Sequence, residues 1–313
     1  MVLKTSQKAG SFLLALVMLL SLTSVFCFKS ASAATDVEWK YELENGGVTI
    51  TGFIGTSRTI SVPSKVNGQR VKKVTALNNN NTKASVTTVS FANGIEEIGT
   101  GVCKGYISLE RVALPDTLVT IGSDAFFNCS SLTGITIPNS VTTIGTNAFN
   151  GCIALISADL SCKATVIPDG LFTGCKSLTT AALPSYSTDI GVAAFSGCSS
   201  LASINIPDTV KTIAKDAFNG CASLKRISLS TELKTIGEMA FKDCTGLTEI
   251  FIPNKVKTIS EEAFSGCTSL QNAYIGSSVS VIKKYIFSGC TALKNIVFGG
   301  DYYNFTDLSS TAV

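Results

Sequence analysis

Residues 117–139 read TLVTIGSDAFFNCSSLTGITIPN, and residues 232–254 read ELKTIGEMAFKDCTGLTEIFIPN. Working outward from these two, one template, x-V-x-x-I-G-x-x-A-F-x-x-C-x-x-L-x-x-I-x-I-P-x, divides the chain from Gly94 to Gly300 into nine units of 23 residues without an insertion. Position 5 of the unit is isoleucine every time, from Ile98 to Ile282, and position 16 is leucine every time, from Leu109 to Leu293. A unit this short cannot bury its own apolar face, so each must stack on its neighbours. Positions 16–21, L-x-x-I-x-I, alternate with period two and read as a short half-buried strand. Proline at position 22 (Pro115, Pro138, Pro184, Pro207, Pro253) has no N–H to continue a ladder and ends it. The A-F-x-x-C-x-x-L stretch spaces its apolar residues by three and four, which predicts one helical or 3₁₀ turn opposite the strand. Parallel strands about 4.8 Å apart make nine units a curved ribbon roughly 43 Å long.

The unit core I-G-x-x-A-F-x-x-C-x-x-L resembles the BspA-type leucine-rich repeats of bacterial surface proteins, over about three quarters of the chain. Residues 52–74, GFIGTSRTISVPSKVNGQRVKKV, resemble that family's leading strand and first coil. The resemblance implies a leucine-rich-repeat solenoid: a right-handed coil with a parallel concave β-sheet and short helical or 3₁₀ turns on the convex side. It also implies an exported protein whose solenoid binds host proteins or other cells. Periodicity alone shows only a solenoid.

The first 33 residues read as a signal peptide. Lys4 and Lys8 precede an apolar run from Phe12 to Phe28, and Ala31-Ser32-Ala33 offers a cleavage site. The expected mature protein is secreted or held at the cell surface, with no membrane span. The whole chain has 25 basic and 22 acidic residues. The leader takes Lys4, Lys8 and Lys29 with it and no acid, so the remainder is neutral. A neutral chain offers no general attraction to phosphate, and nucleic acid is not an expected partner. Histidine is absent throughout. That excludes Ser-His and Cys-His catalysis and any imidazole metal site.

A stack has two raw apolar ends that need covering. Residues 34–69 read as an N-terminal cap: Trp39–Leu43 and Val48–Phe53 flank Asn45-Gly46, a hairpin signal. Residues 70–93 read as a degenerate unit at the head of a 70–300 solenoid, with Val71, Val74, Val86, Val89 and Phe91 on template positions. Residues 301–313 begin a tenth turn with Tyr302 and Phe305 in core positions, then lose the pattern. Two readings stand there, a lid on the last unit or the start of sequence cut short.

Eight cysteines, Cys129 to Cys290, occupy position 13 in phase with the buried Phe and Leu. The pattern predicts a ladder of free, buried thiols donating weakly to backbone carbonyls. Cross-rung disulfides would impose a specific geometry on a uniform repeat. Single cysteines 23 residues apart form a line rather than a tetrahedron, so neither zinc nor another metal or cofactor is expected. The recurring glycine at position 6 reads as a turn residue.

Positions 17, 18 and 20 are the ones the template leaves free on the strand face. Position 20 is small or polar from Ala113 to Ser228, then large and apolar at Phe251, Tyr274 and Val297 on consecutive units. Lys225, Arg226, Glu249, Gln271, Asn272 and Lys294 lie beside them. An aromatic cluster with a charged rim has the composition of a protein-binding hot spot. Phe251, Tyr274, Val297, Arg226, Glu249 and Asn272 are therefore the candidate partner-binding residues. The bland alternatives are that Phe251 and Tyr274 merely fill a variable position, or that the C-terminal tail folds over them. No catalytic constellation is visible. The functional expectation is a monomeric surface module that binds a protein. The alternatives are a structural spacer without a dedicated ligand, or an accessory domain of a larger surface protein.

Overall fold

The computed structural model describes residues 26–29, 38–44, 46–77, 83–299 and 301–304, with only the backbone given for 26–29, Glu38 and 301–304. The expected leader lies outside this set except for Phe26–Lys29, a strand antiparallel to Glu38–Tyr41. Residues 78–82 of the degenerate unit also lie outside the described residues.

The repeats stack as a parallel β-solenoid, and two ribbons run along it. One ribbon is the expected strand, shortened to positions 18–20 or 18–21. It appears as Gly134–Thr136, Ser157–Asp159 and Thr180–Ala182, and again as Glu249–Ile252, Asn272–Ile275 and Asn295–Phe298. A single bridge, Asn205 to Ser228, spans part of the gap between these runs. The second ribbon uses positions 4–5. Thr120–Ile121 pairs with Glu97–Ile98 and Thr143–Ile144, each partner one unit away. Two residues per rung would never hold as a strand alone; repetition supplies the pairing.

The second ribbon is interrupted between Thr143–Ile144 and Val166–Ile167. Elsewhere the N–H at position 6 donates to the isoleucine carbonyl of the preceding rung, as Gly145 does to Ile121 and Gly191 to Ile167, both at 2.8 Å. Position 6 of the next unit after Ile144 is Pro168, which has no N–H to give. Here the other ribbon is intact, since Ser157–Asp159 pairs with Thr180–Ala182. The gaps in the two ribbons are staggered.

The third side of the coil corrects the expectation of a helical or 3₁₀ turn, because no helix forms among the described residues. Asp124 (φ 55°) and Asn128 (φ 56°) are left-handed, and the equivalent positions 8 and 12 repeat this down the stack. The N–H groups of Phe127, Cys129 and Leu132 close i→i−3 turns onto Asp124, Phe126 and Cys129. Those of Asp124, Phe126 and Asn128 instead donate to Thr146, Ala148 and Asn150 of the next rung, at 2.7–2.9 Å. A helix would aim every amide along the chain. The solenoid needs alternate amides aimed along the stack, and each left-handed residue provides the redirection.

The glycine at position 6 also has a different cause from the turn expected. Its φ is not positive at Gly122 or Gly145. A Cβ on Gly122 would sit 2.5 Å from the Gly99 carbonyl carbon, and one on Gly145 2.2 Å from the Ser123 nitrogen. Close approach between rungs, not chain reversal, selects glycine there.

Inside, the Phe, Cys, Ile and Leu columns form one continuous core. The position-10 rings stack from Phe126 to Phe287 with centroids 5.2–5.8 Å apart. Each position-13 thiol donates to the carbonyl 26 residues earlier, at 3.1–3.3 Å. The ten cysteines whose side chains are described are buried free thiols. In the first unit Tyr106 replaces cysteine, and its hydroxyl donates to the Leu77 carbonyl at 2.6 Å.

At the front, Glu38–Glu44 and Gly47–Phe53 form an antiparallel hairpin, and the second strand pairs in parallel with Val71–Val74. Trp39 and Phe53, with ring centroids 5.2 Å apart, cover the core there. Val71, Val74, Val86, Val89 and Phe91 are all buried. At the far end the expected tenth turn is replaced: Asp301–Asn304 doubles back antiparallel to Asn295–Phe298. Gly299, at φ 54°, makes the reversal available. Phe305 lies outside the described residues.

A candidate partner-binding face

Positions 18 and 20 project from the first ribbon as two adjacent columns. In the position-20 column, Phe251 and Tyr274 are paired residues of neighbouring strands. Their rings stack with centroids 4.3 Å apart and planes 3° from parallel. Phe251 remains 54 % exposed although it is large and apolar. The rung before it carries Ser228, so the ring stands at a step between a small-residue floor and an aromatic wall. Across that step the strand face is open. Val297, expected in the exposed patch, is instead only 6 % exposed. The antiparallel return pairs Val297 with Tyr302, and Tyr274 covers it from the other side. It serves as the floor of a small cavity of about 400 Å³ shared with Phe251, Tyr274 and Gly276.

The position-18 column is polar and linked from rung to rung. Arg226 Nε lies 3.3 Å from Glu249 Oε1, with the Arg226 side chain 80 % exposed. Asn272 Oδ1 accepts from Asn295 Nδ2 at 2.8 Å. The structure thus brings Arg226 and Glu249 together and aligns Asn272 beside Tyr274. Sequence reasoning misses Asn295, although its place at position 18 of the last unit is legible from the period.

A larger groove of about 820 Å³ opens over the earlier units of the same ribbon. Its floor is the small half of the two columns, including Ala113, Thr136, Asp159, Ala182 and Asn205. Small side chains at position 20 leave this space, and the aromatic pair lies two rungs beyond its end. Among the described residues no group of three or more histidine, cysteine or carboxylate side chains is placed to hold a metal. No helix there is long and apolar enough to cross a membrane.

The family model for the BspA type leucine rich repeat region matches residues 78–201 and 188–310, together spanning 78–310. Nothing among curated proteins matches the chain. Among solved structures, a leucine rich cell surface protein from Faecalibacterium prausnitzii is 26 % identical, with 89 % of this chain and 96 % of that one covered at a TM-score of 0.50. A leucine-rich repeat protein from Eubacterium ventriosum is 19 % identical, covering 91 % and 97 % at 0.43. The pneumococcal vaccine antigen PcpA is 17 % identical, covering 88 % of each chain at 0.45. With the 23-residue period, the stacked solenoid and a family match over more than two thirds of its length, this chain belongs to the BspA-type leucine-rich repeat family.

Proposed function

We propose that the protein is secreted or displayed at the cell surface and binds a protein partner through the position-18 and position-20 columns, without catalysis. The observation that carries this reading is the Phe251–Tyr274 stack, an aromatic pair with Phe251 exposed and Tyr274 half-buried beside a polar column. An exposed aromatic cluster rimmed by charge is where binding energy concentrates in protein interfaces. Its rings are already held by each other, so little side-chain freedom is lost on contact. Arg226, Glu249 and Asn272 supply the rim, and Val297 supports Tyr274 from within. The small-residue groove gives an extended partner segment room to continue along the same ribbon. Family membership supports a surface interaction role.

The test compares the protein with a Phe251→Ser/Tyr274→Ser variant for retention of partners from host extracellular material and binding to intact cells. The variant should lose at least tenfold in affinity while its thermal midpoint stays within about 2 °C, since neither ring fills the interior. Equal binding by both proteins removes the aromatic pair from the interface.

A further inference from the structure

The second ribbon carries a feature that the partner-binding reading does not use. Position 3, just before each Thr-Ile rung, is lysine in three consecutive units: Lys211, Lys234 and Lys257. Lys234 N donates to the Lys211 carbonyl at 2.8 Å and Lys257 N to the Lys234 carbonyl at 3.2 Å, so the three stand on hydrogen-bonded neighbouring rungs. All three are exposed. The adjacent residue is threonine in each case, Thr212, Thr235 and Thr258, in register across the rungs. The result is a column of exposed lysines beside a column of threonines, one lysine per rung, on backbones about 4.8 Å apart.

Two carboxylates stand beside the track. Glu232 is paired with Lys255. Asp189, at the start of the track, accepts from the Thr188 hydroxyl at 2.7 Å. Lys255 first, and then Lys234 and Lys211, hold the Glu232 carboxyl below its ordinary range, so the local potential is positive. Lys211, Lys234, Lys257 and Lys255 outnumber the two neighbouring carboxylates, Glu232 and Asp189, so the track keeps a net positive charge that an external anion can meet.

We propose that Lys211, Lys234 and Lys257, with Thr212, Thr235 and Thr258, form a binding track for a linear acidic polysaccharide carrying one carboxylate or sulfate per sugar residue. One sugar ring in an extended glycan is about as long as one rung spacing, so an acidic glycan lying along the track brings its anions within reach of the long, flexible lysine side chains. The threonine hydroxyls suit the sugar hydroxyls between them. A membrane surface fits less well, because the track is a single line of cations with small polar neighbours and no apolar group to enter lipid. This site lies on the other ribbon from Phe251 and Tyr274, and either can fail without the other.

The test uses polygalacturonate as probe, with neutral dextran and vesicles of phosphatidylglycerol and phosphatidylcholine in parallel arms. One variant is Lys211→Thr/Lys234→Thr/Lys257→Thr, chosen because earlier units carry Thr142, Thr165 and Thr188 at the same position. The triple Lys→Arg variant is the control. Polygalacturonate should bind and dextran should not. The threonine variant should lose at least tenfold in affinity and roughly two units from the slope of log affinity against log salt. The arginine variant should retain binding, and unchanged thermal midpoints should show that both variants fold. The proposal is overturned if polygalacturonate does not bind or if the threonine variant binds it equally. It is also overturned if vesicles bind as strongly and with the same lysine dependence.

Discussion

The Sγ of Cys198 lies 3.1 Å from the carbonyl oxygen of Phe172, one rung back, and donates its proton to it. Burial pushes this thiol up to about 12 from an ordinary value of 9.0, and pushes Cys152 and Cys244 to about 12 as well. The folded state therefore holds the thiol protons through a range in which the unfolded chain releases them. Below pH 9 both states are protonated and the thiols have no effect on stability. Between pH 9 and about 12 the unfolded state is favoured, by up to about 1.4 kcal/mol per pH unit for each thiol. Urea midpoints should be level from pH 7 to 8.5 and fall steeply above 9. A level profile to pH 11 contradicts the buried ladder.

Phe218 is stacked on both faces, 5.3 Å from Phe195 and 5.3 Å from Phe241, and is fully buried. Phe287 ends the column with one ring neighbour and slight exposure. Phe218→Ala should cost about 4 kcal/mol in chemical denaturation, and Phe287→Ala clearly less. Equal costs would mean the rings do not form a continuous column.

Pro168 removes one cross-rung hydrogen bond from the second ribbon, beside a pairing gap at Thr143–Ile144. Amide exchange should be faster in residues 163–167 than in the equivalent residues 186–190 and 232–236, where the ribbon is intact. Equal protection would place the missing bonds elsewhere.

The Arg226–Glu249 pair is exposed on the arginine side. Arg226→Ala should change folding stability by less than about 0.5 kcal/mol. Any loss of partner binding in that variant is then read as a direct contact, whereas a large fall in the thermal midpoint contradicts the rim assignment.

The rung and its interior are legible in the sequence because isoleucine at position 5 and leucine at position 16 never vary. The second ribbon is not, since a two-residue strand has no period of its own. The helical turn misleads for a physical reason. Spacings of three and four between Ala217, Phe218, Cys221 and Leu224 suit a helix, but Asp216 and Gly220 have φ of 56° and 74°. At position 12 a signal exists, because every unit has glycine, asparagine or aspartate there, residues that tolerate this conformation. At position 8 the signal is partial: Gly101, Asp124, Asn147, Gly170 and Asp216 fit it, whereas Ala193, Met239, Glu262 and Tyr285 take it at φ of 52–61° because the stack demands it. In the candidate face, the aromatic column is legible from position 20 alone. The burial of Val297 is hidden, since the antiparallel return of Asp301–Asn304 breaks the period that placed it.

Thiol titration of the native and denatured protein, under non-reducing conditions, tests the stacked interior most directly. None of the eight ladder cysteines from Cys129 to Cys290 should react with a thiol reagent at pH 8 in the native state, and all eight should react after denaturation. Rapid reaction of native ladder thiols, or their failure to react once unfolded, would contradict the account.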